Sequence, residues 1–288
     1  DTKYFYQLFS GKTATQIYSF KTYQSDPQFS FSVWADSQGG WPVFYKLMQR
    51  LSNHQDMFSV GVGDLVSHGA DENQWQTFFE IISAQSASIP FYLIAGNHDY
   101  DGYYEKLVPE NFRDYTQHAT GYFSWRAGNC AFIALDPNDR FPIGFSDTQQ
   151  QWFHLEMKKP FWRTATWRFV FVHQPPFSQG WAGYSGEQSV LDLLTPALLE
   201  EQKIDVVVSG HTHDYERLMR KNGNQKTLFL IVGGAGGGLE PVESSVQPDM
   251  DTVIKEHHMG RFYVTSDSIR VEIRNIRDEI IDAALLVK

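Results

Sequence analysis

The sequence predicts an α/β chain in which mixed β-sheets are layered with helices, and three observations point there. Short apolar runs alternate with helical periods early in the chain, and mostly strands follow. Several of those runs end in Asp, Asn or His beside glycine. At 288 residues the chain can bury a full core in one large domain, or in one domain plus a fragment.

Two aromatic-rich segments come first, at 3–9 and 16–22, separated by the turn-like Ser10-Gly11-Lys12-Thr13, which predicts a β-hairpin. A lone hairpin is marginal in water. It is therefore expected to lean on the following domain or to end a larger β-domain lying upstream. Asp26-Pro27 marks a break. Strands are then expected at 29–35, 57–63, 91–95, 130–136, 167–173, 204–209, 227–232 and 260–265, with a final pair near 269–275 and 280–287. Helical periods fall at 41–53, 73–87, 147–158 and 188–202. Pro42 suits a first turn. Asp71 or Asn73 offers a cap for the second helix, and Ser146 or Asp147 for the third. Gly233-Gly234 and Gly236-Gly237-Gly238 follow a strand without a Lys-Ser or Lys-Thr, so they read as a loop of close backbone approach rather than a nucleotide cradle.

The net charge of −10 argues against a nucleic-acid duplex as partner, because such binding needs a clustered basic face. No apolar run approaches the roughly 18 to 20 residues of a membrane span. The first residues lack the charged-then-apolar pattern of a secretory signal. The single cysteine, Cys130, excludes an internal disulfide and sits in the apolar run 130–135, where a core position is expected.

Chemistry concentrates at strand ends. Asp36 follows 29–35, Asp64 follows 57–63, Asn97 follows 91–95, His173 closes 167–173, and His211 and His213 follow 204–209. Any one of these residues is more often structural. Together they bring carboxylate, amide and imidazole groups to one sheet edge, as a two-metal hydrolytic centre requires. A carboxylate can span two cations, while neutral amide and imidazole ligands keep excess negative charge away from a phosphate.

The segments Gly210-His211-Thr212-His213-Asp214-Tyr215-Glu216-Arg217, Gly96-Asn97-His98-Asp99 and Val172-His173-Gln174-Pro175 resemble those of the calcineurin-like metallophosphoesterases, and among them the purple acid phosphatases. The resemblance runs over nearly all of residues 28–288. It implies a four-layer α/β/β/α sandwich of two mixed sheets flanked by helices. Residues 28–288 would be the catalytic domain, and the hairpin at 1–27 a remnant of a fibronectin-like domain. It also implies two divalent or trivalent ions (iron, zinc or manganese) bridged by Asp64. One would be held by Asp36, His213 and a further ligand, the other by Asn97, His173 and His211. The activity implied is hydrolysis of a small phosphomonoester by a hydroxide held on the dinuclear centre. Phosphodiester cleavage of nucleotides or lipid head groups is the alternative, and a non-enzymatic metal-binding module a second. The resemblance leans towards a secreted or periplasmic location.

Two positions depart from the family. The usual His two residues after the first Asp is Gln38, and the tyrosine three residues after the bridging Asp is Ser67. Gln38 is assigned as the replacement ligand through its carbonyl oxygen, with a water contact or ligation by His68 as alternatives. Without a tyrosinate the purple colour should be missing and divalent ions are favoured. His98, beside Asn97, is expected to stabilise the transition state or protonate the leaving oxygen, with Asp99 fixing its tautomer. Substrate contacts are expected from a mobile wall at 174–187, through Trp181 and Tyr184. A second wall at 100–118 carries Tyr103, Tyr104, Arg113 and His118. Tyr215-Glu216-Arg217 reads as scaffolding. His54 and His154 read as surface residues, and His257-His258 have no evident partner.

Overall fold

The chain begins with β1 (Lys3–Tyr6), β2 (Phe9–Ser10), β3 (Thr13–Ala14) and β4 (Tyr18–Lys21). Next come β5 (Phe29–Trp34), α1 (Trp41–Leu51), β6 (Ser59–Val62), α2 (Glu72–Ser86) and β7 (Phe91–Ile94). A short 3-10 turn, His98–Tyr100, and α3 (Glu110–Thr116) precede β8 (Phe123–Ala127) and β9 (Cys130–Leu135). Then follow α4 (Asp147–Glu156), α5 (Pro160–Arg163), β10 (Trp167–Val172), α6 (Gln188–Leu199) and β11 (Val206–Ser209). Six strands complete the fold: β12 (Tyr215–Asn222), β13 (Gln225–Val232), β14 (Thr252–Ile254), β15 (His258–Val264), β16 (Ser268–Asn275) and β17 (Ile280–Val287). This computed structural model describes residues 2–22, 28–51, 55–102, 106–139, 143–199, 204–222 and 225–288. The break at Asp26-Pro27, His54, Tyr103 and Tyr104 lie outside the described residues.

Two sheets face each other. One has the order β17-β16-β15-β5-β6-β7 and the other β14-β12-β13-β11-β10-β9-β8. Each contains a parallel block: β5, β6 and β7 at one side of the first, and β9, β10, β11 and β13 in the middle of the second. Antiparallel strands complete both, so both are mixed. The period of two in the strands explains the layering. Phe31 and Val33 point inward to meet Phe169 and Phe171, while Trp34, one residue on, points outward onto Phe44 of α1 and Phe78 of α2. Val170 and Val172 likewise face outward, in the cluster that holds Phe153 of α4 and Val190 of α6. The result is an α/β/β/α sandwich with three apolar layers. The aromatic-rich composition goes into its centre, where Phe31 stacks between Phe58 and Phe262, each at 4.8 Å. Cys130 is buried there too.

The helix caps resolve as Asp71, which accepts from Asn73 N at 3.0 Å, and Ser146, which accepts from Gln149 N at 3.3 Å. The hairpin pairs β1 with β4, but its strands are shorter than 3–9 and 16–22. Gln7 and Leu8 turn to Thr15 through side-chain hydrogen bonds, and the tip forms its own small pair, β2 with β3. Tyr6 Oη ties the hairpin to α2 by donating to the Ala87 carbonyl at 2.8 Å. β8, β12, β14, α3 and α5 were not expected. β12 is rich in charge, yet that charge is paired in the fold: Arg217 reaches Asp282 at 2.7 Å, and Arg220 lies 4.0 Å over the Phe177 ring. Among the described residues no helix is long and apolar enough to cross a membrane.

One core histidine is expected to make the fold acid-sensitive. His258 is fully buried; its Nδ1 donates to the Glu256 carbonyl at 2.7 Å and Nε2 has no partner among the described residues. Burial lowers its pKa to about 4, with only partial relief from that hydrogen bond. The unfolded chain takes up a proton near pH 6.5 and the folded one does not, so this contribution is present above 6.5 and lost as pH falls towards 4. The difference is on the order of 3 kcal/mol. His258→Gln should flatten that part of the curve, checked by thermal midpoints of both proteins from pH 7 to 4.

Candidate metal centre

The carboxyl ends of the parallel strands of both sheets meet at one rim. β5, β6 and β7 deliver Asp36, Asp64 and Asn97, while β10 and β11 deliver His173, His211 and His213. Hydrogen bonds lock the two sheets together at this rim: His211 N donates to both Asp36 carboxylate oxygens, at 3.1 and 2.9 Å, and Gly237 N donates to the Asp36 carbonyl at 2.8 Å. Asp36, Asp64 and His211 adopt left-handed backbone, with φ of 61°, 50° and 74°. Non-glycine residues rarely adopt this conformation, at a cost of about 1–3 kcal/mol each, and it tends to cluster at functional sites. Gly63, at φ 88°, makes room for it, since a Cβ there would lie 2.4 Å from His173 Nδ1.

At the centre, His173 Nδ1 donates to the Val62 carbonyl at 2.8 Å, which turns Nε2 towards Asp64 Oδ2 at 3.2 Å. Both residues are buried, so an imidazole nitrogen and a carboxylate oxygen face each other at a separation that a shared proton or a cation can bridge. Asp64 Oδ1 accepts from His98 N at 2.9 Å. His211 Nδ1 lies 3.1 Å from Asn97 Oδ1, and Gln174 Nε2 donates to that same oxygen at 3.2 Å. Gln174 is in turn clamped by Asn138. Ligand atoms about 2.0–2.2 Å from one zinc-sized ion sit about 3.0–3.5 Å apart, so both pairs have the separation of co-ligands. One donor atom each from Asp64, His173 and His211 falls within a 4.8 Å spread.

Electrostatics agrees. Burial pushes Asp36 well above the ordinary carboxylate range. Burial would raise Asp64 too, but the charge and hydrogen bond of His173 hold it well below. Burial disfavours the His173 cation, yet Asp64 and Asp36 raise its pKa to about 10. A proton then takes the place between imidazole and carboxylate. Burial and the His173 charge push His211 down to about 3, leaving the neutral imidazole that ligation requires.

Around Asp36 the arrangement is tighter. His213 Nε2 lies 3.7 Å from Asp36 Oδ1. Its Nδ1 donates to the Gly238 carbonyl at 2.7 Å, so its Nε2 lone pair accepts from the Gln38 amide nitrogen, also at 2.7 Å. The amide oxygen of Gln38, the expected donor atom, is buried without a partner. Two acceptors would repel at that distance, which explains why the nitrogen faces His213. Turning the amide over is the change that would present the oxygen. His68 instead meets Asp101 at 3.2 Å.

One expectation is corrected. Asp99 does not orient His98: its carboxylate accepts from the backbone amides of Leu65, Val66 and Gly96. The Ser67 carbonyl fixes His98 instead, at 2.9 Å from Nδ1. Burial and the Asp64 charge raise Asp99 to about 8, against those amide bonds. Sequence reasoning missed both the Ser67 carbonyl and Gln174. Gln174 stood in the quoted Val172–Pro175 segment without a role; a backbone carbonyl leaves no trace in residue type. His118 lies flat on Phe123 of β8, 4.1 Å between ring centroids, and no described contact joins it to the cluster. Trp181 and Tyr184 do reach it, at 5.9 and 5.4 Å from the His211 ring.

The family described as calcineurin-like phosphoesterase matches residues 26–215. The Fe(3+)-Zn(2+) purple acid phosphatase 12 of Arabidopsis thaliana is 26% identical over 275 residues, 88% of this chain and 56% of that protein. Purple acid phosphatase 1 of Ipomoea batatas is 26% identical over 240 residues, 76% of this chain and 50% of its own. The chain thus spans about half the length of these curated relatives. Purple acid phosphatase PPD1 from yellow lupin superposes with a TM-score of 0.77 at 16% identity, covering 99% of this chain and 59% of its own. A dimetal phosphatase from Danio rerio gives 0.67 at 15% identity, covering 91% and 99%. With two thirds of its residues inside the family match and its fold shared with these phosphatases, the chain belongs to the calcineurin-like phosphoesterase family.

Proposed function

We propose that the chain hydrolyses a phosphomonoester with two metal ions held at the rim. The observation that carries this reading is the buried His173 Nε2 facing Asp64 Oδ2 at 3.2 Å, with Asn97 Oδ1 3.1 Å from His211 Nδ1 and Asp36 Oδ1 3.7 Å from His213 Nε2 beside it. Asn97, His173 and His211 would hold one ion, Asp36 and His213 the other with Gln38 turned, and Asp64 would be shared. When bound, such ions lower the pKa of water and offset phosphoryl charge.

The chain's own residues supply the rest. His98 Nδ1 is committed to the Ser67 carbonyl, so Nε2 is the atom left to address substrate. In its protonated form it donates to a phosphoryl or leaving oxygen. His98 is partly buried, and its backbone is tied to Asp64, so donor and carboxylate move as one unit. Gln174, Asn138 and the Val62 and Gly238 carbonyls fix the orientation of Asn97, His173 and His213.

The test is turnover of p-nitrophenyl phosphate and bis(p-nitrophenyl) phosphate after loading with zinc, manganese or iron(II). Monoester turnover that appears on loading is expected. Faster cleavage of the diester would move the assignment to a phosphodiesterase. No turnover with two ions bound would leave a metal-binding module.

A further inference from the structure

The segment between β10 and α6 was expected to be a mobile wall, yet it is braced from behind. Glu216 of β12 accepts from Ser178 Oγ at 2.7 Å, Gln179 N at 2.6 Å and Gly180 N at 3.0 Å. Lys255 Nζ donates to the Gly180 carbonyl at 2.9 Å. Ser245 ties down the rest: its N donates to the Gln179 carbonyl, its Oγ to the Trp181 carbonyl, and it accepts from Gly183 N. All of these bonds use backbone atoms of the wall or the Ser178 hydroxyl. None needs the Trp181 indole.

That indole is nonetheless 40% exposed, which is unusual for the largest apolar side chain beside a buried site. It packs on Tyr184 at 5.3 Å and leans towards His211 at 5.9 Å, with 58° between the planes. Tyr184 meets His211 edge-on at 5.4 Å and backs the indole with a second ring. A hydrogen-bonded backbone, a partly exposed indole and a position next to an imidazole of the cluster are what a stacking surface needs.

The geometry points to Trp181 as a specificity-determining residue: its indole is a preorganised platform on which a planar group of the substrate stacks. The favoured substrates are therefore phosphoesters of aryl or heteroaryl alcohols, rather than of flexible alkyl alcohols. This rests on the hydrolase reading above for what is cleaved, but not for what is bound. Stacking of a planar group on one aromatic side chain is worth about tenfold in affinity, within the range seen for base–aromatic contacts.

The test uses the metal-loaded protein and two phosphonates that cannot be hydrolysed, 2-naphthylmethylphosphonate and butylphosphonate, with binding followed by calorimetry. Trp181→Leu keeps bulk without a π face, and Trp181→Phe keeps a ring; thermal midpoints check that both fold. The naphthyl-to-butyl affinity ratio is expected to fall about tenfold in Trp181→Leu and to stay within about threefold of the parent in Trp181→Phe. The kcat/KM ratio for naphthyl and butyl phosphate should move in parallel. An unchanged affinity ratio in Trp181→Leu, or an equal loss in both variants, overturns the platform. Selective phosphonate binding without ester turnover keeps the platform and removes the hydrolase. Failure of the parent to bind either phosphonate removes both.

Discussion

Replacing Asp64 with alanine is expected, on the two-metal reading proposed above, to lower bound metal from two equivalents to fewer than one and to cut turnover by ~10³-fold or more, because its carboxylate would serve both ions. Its Oδ2 faces His173 Nε2 at 3.2 Å, and its Oδ1 accepts from His98 N at 2.9 Å. No neighbour can substitute. Asp36 Oδ1 lies 4.0 Å from His173 Nε2, and Asp99 is committed to three backbone amides. The loss also removes the nearer of the two carboxylates that raise the His173 pKa, leaving that buried base with Asp36 alone at 4.0 Å. Elemental analysis after gel filtration measures the first effect. Asp64→Asn, which keeps the shape and the acceptor for His98 N, separates ligand loss from misfolding. Two retained equivalents in either variant would remove Asp64 from the centre.

Replacing His98 with alanine should have the next largest effect, a fall in kcat of ~10²–10⁴-fold, the range for loss of a positioned acid or base. Metal content should stay at the parent's level, since His98 is not among the proposed ligands. Its Nδ1 is turned to Ser67. His98→Asn offers a donor without a titratable proton. If His98 acts by hydrogen bonding to a phosphoryl oxygen, Asn should recover part of the rate for phenyl esters and alkyl esters alike. If it protonates the leaving oxygen, the recovery should be confined to esters whose alcohols leave without a proton. Unchanged kcat in His98→Ala would remove it from the chemistry.

Much of the scaffold was legible because its signals are local. The run from Phe29 to Ala35 alternates, with Phe31, Val33 and Ala35 in the inner core and Trp34 on the outer face, and the observed strand ends one residue earlier, at Trp34. Asp71 and Ser146 cap their helices through contacts within three residues. Part of the rim was legible for a related reason: parallel strands of one sheet put their carboxyl ends on one side, which groups Asp36, Asp64 and Asn97 in the first sheet and His173, His211 and His213 in the second. β12 escaped notice because its charged side chains find partners far along the chain, Arg217 with Asp282 among them. The role first given to Asp99 went to a backbone carbonyl, since a 3-10 turn at His98–Tyr100 carries adjacent side chains in different directions.

The amino-acid order by itself determined most of the central strands, the residues at their ends and the donor chemistries available, because periodicity and residue type act over a few positions. Tertiary structure alone decided which atom of each residue is free. The Val62 carbonyl, 111 positions from His173, selects the tautomer that points Nε2 at Asp64. Gly238 and Gln38 do the same for His213, and Glu216 freezes the wall that presents Trp181. These choices follow from hydrogen bonds between groups brought together only when the two sheets close, and no short stretch of chain contains both partners.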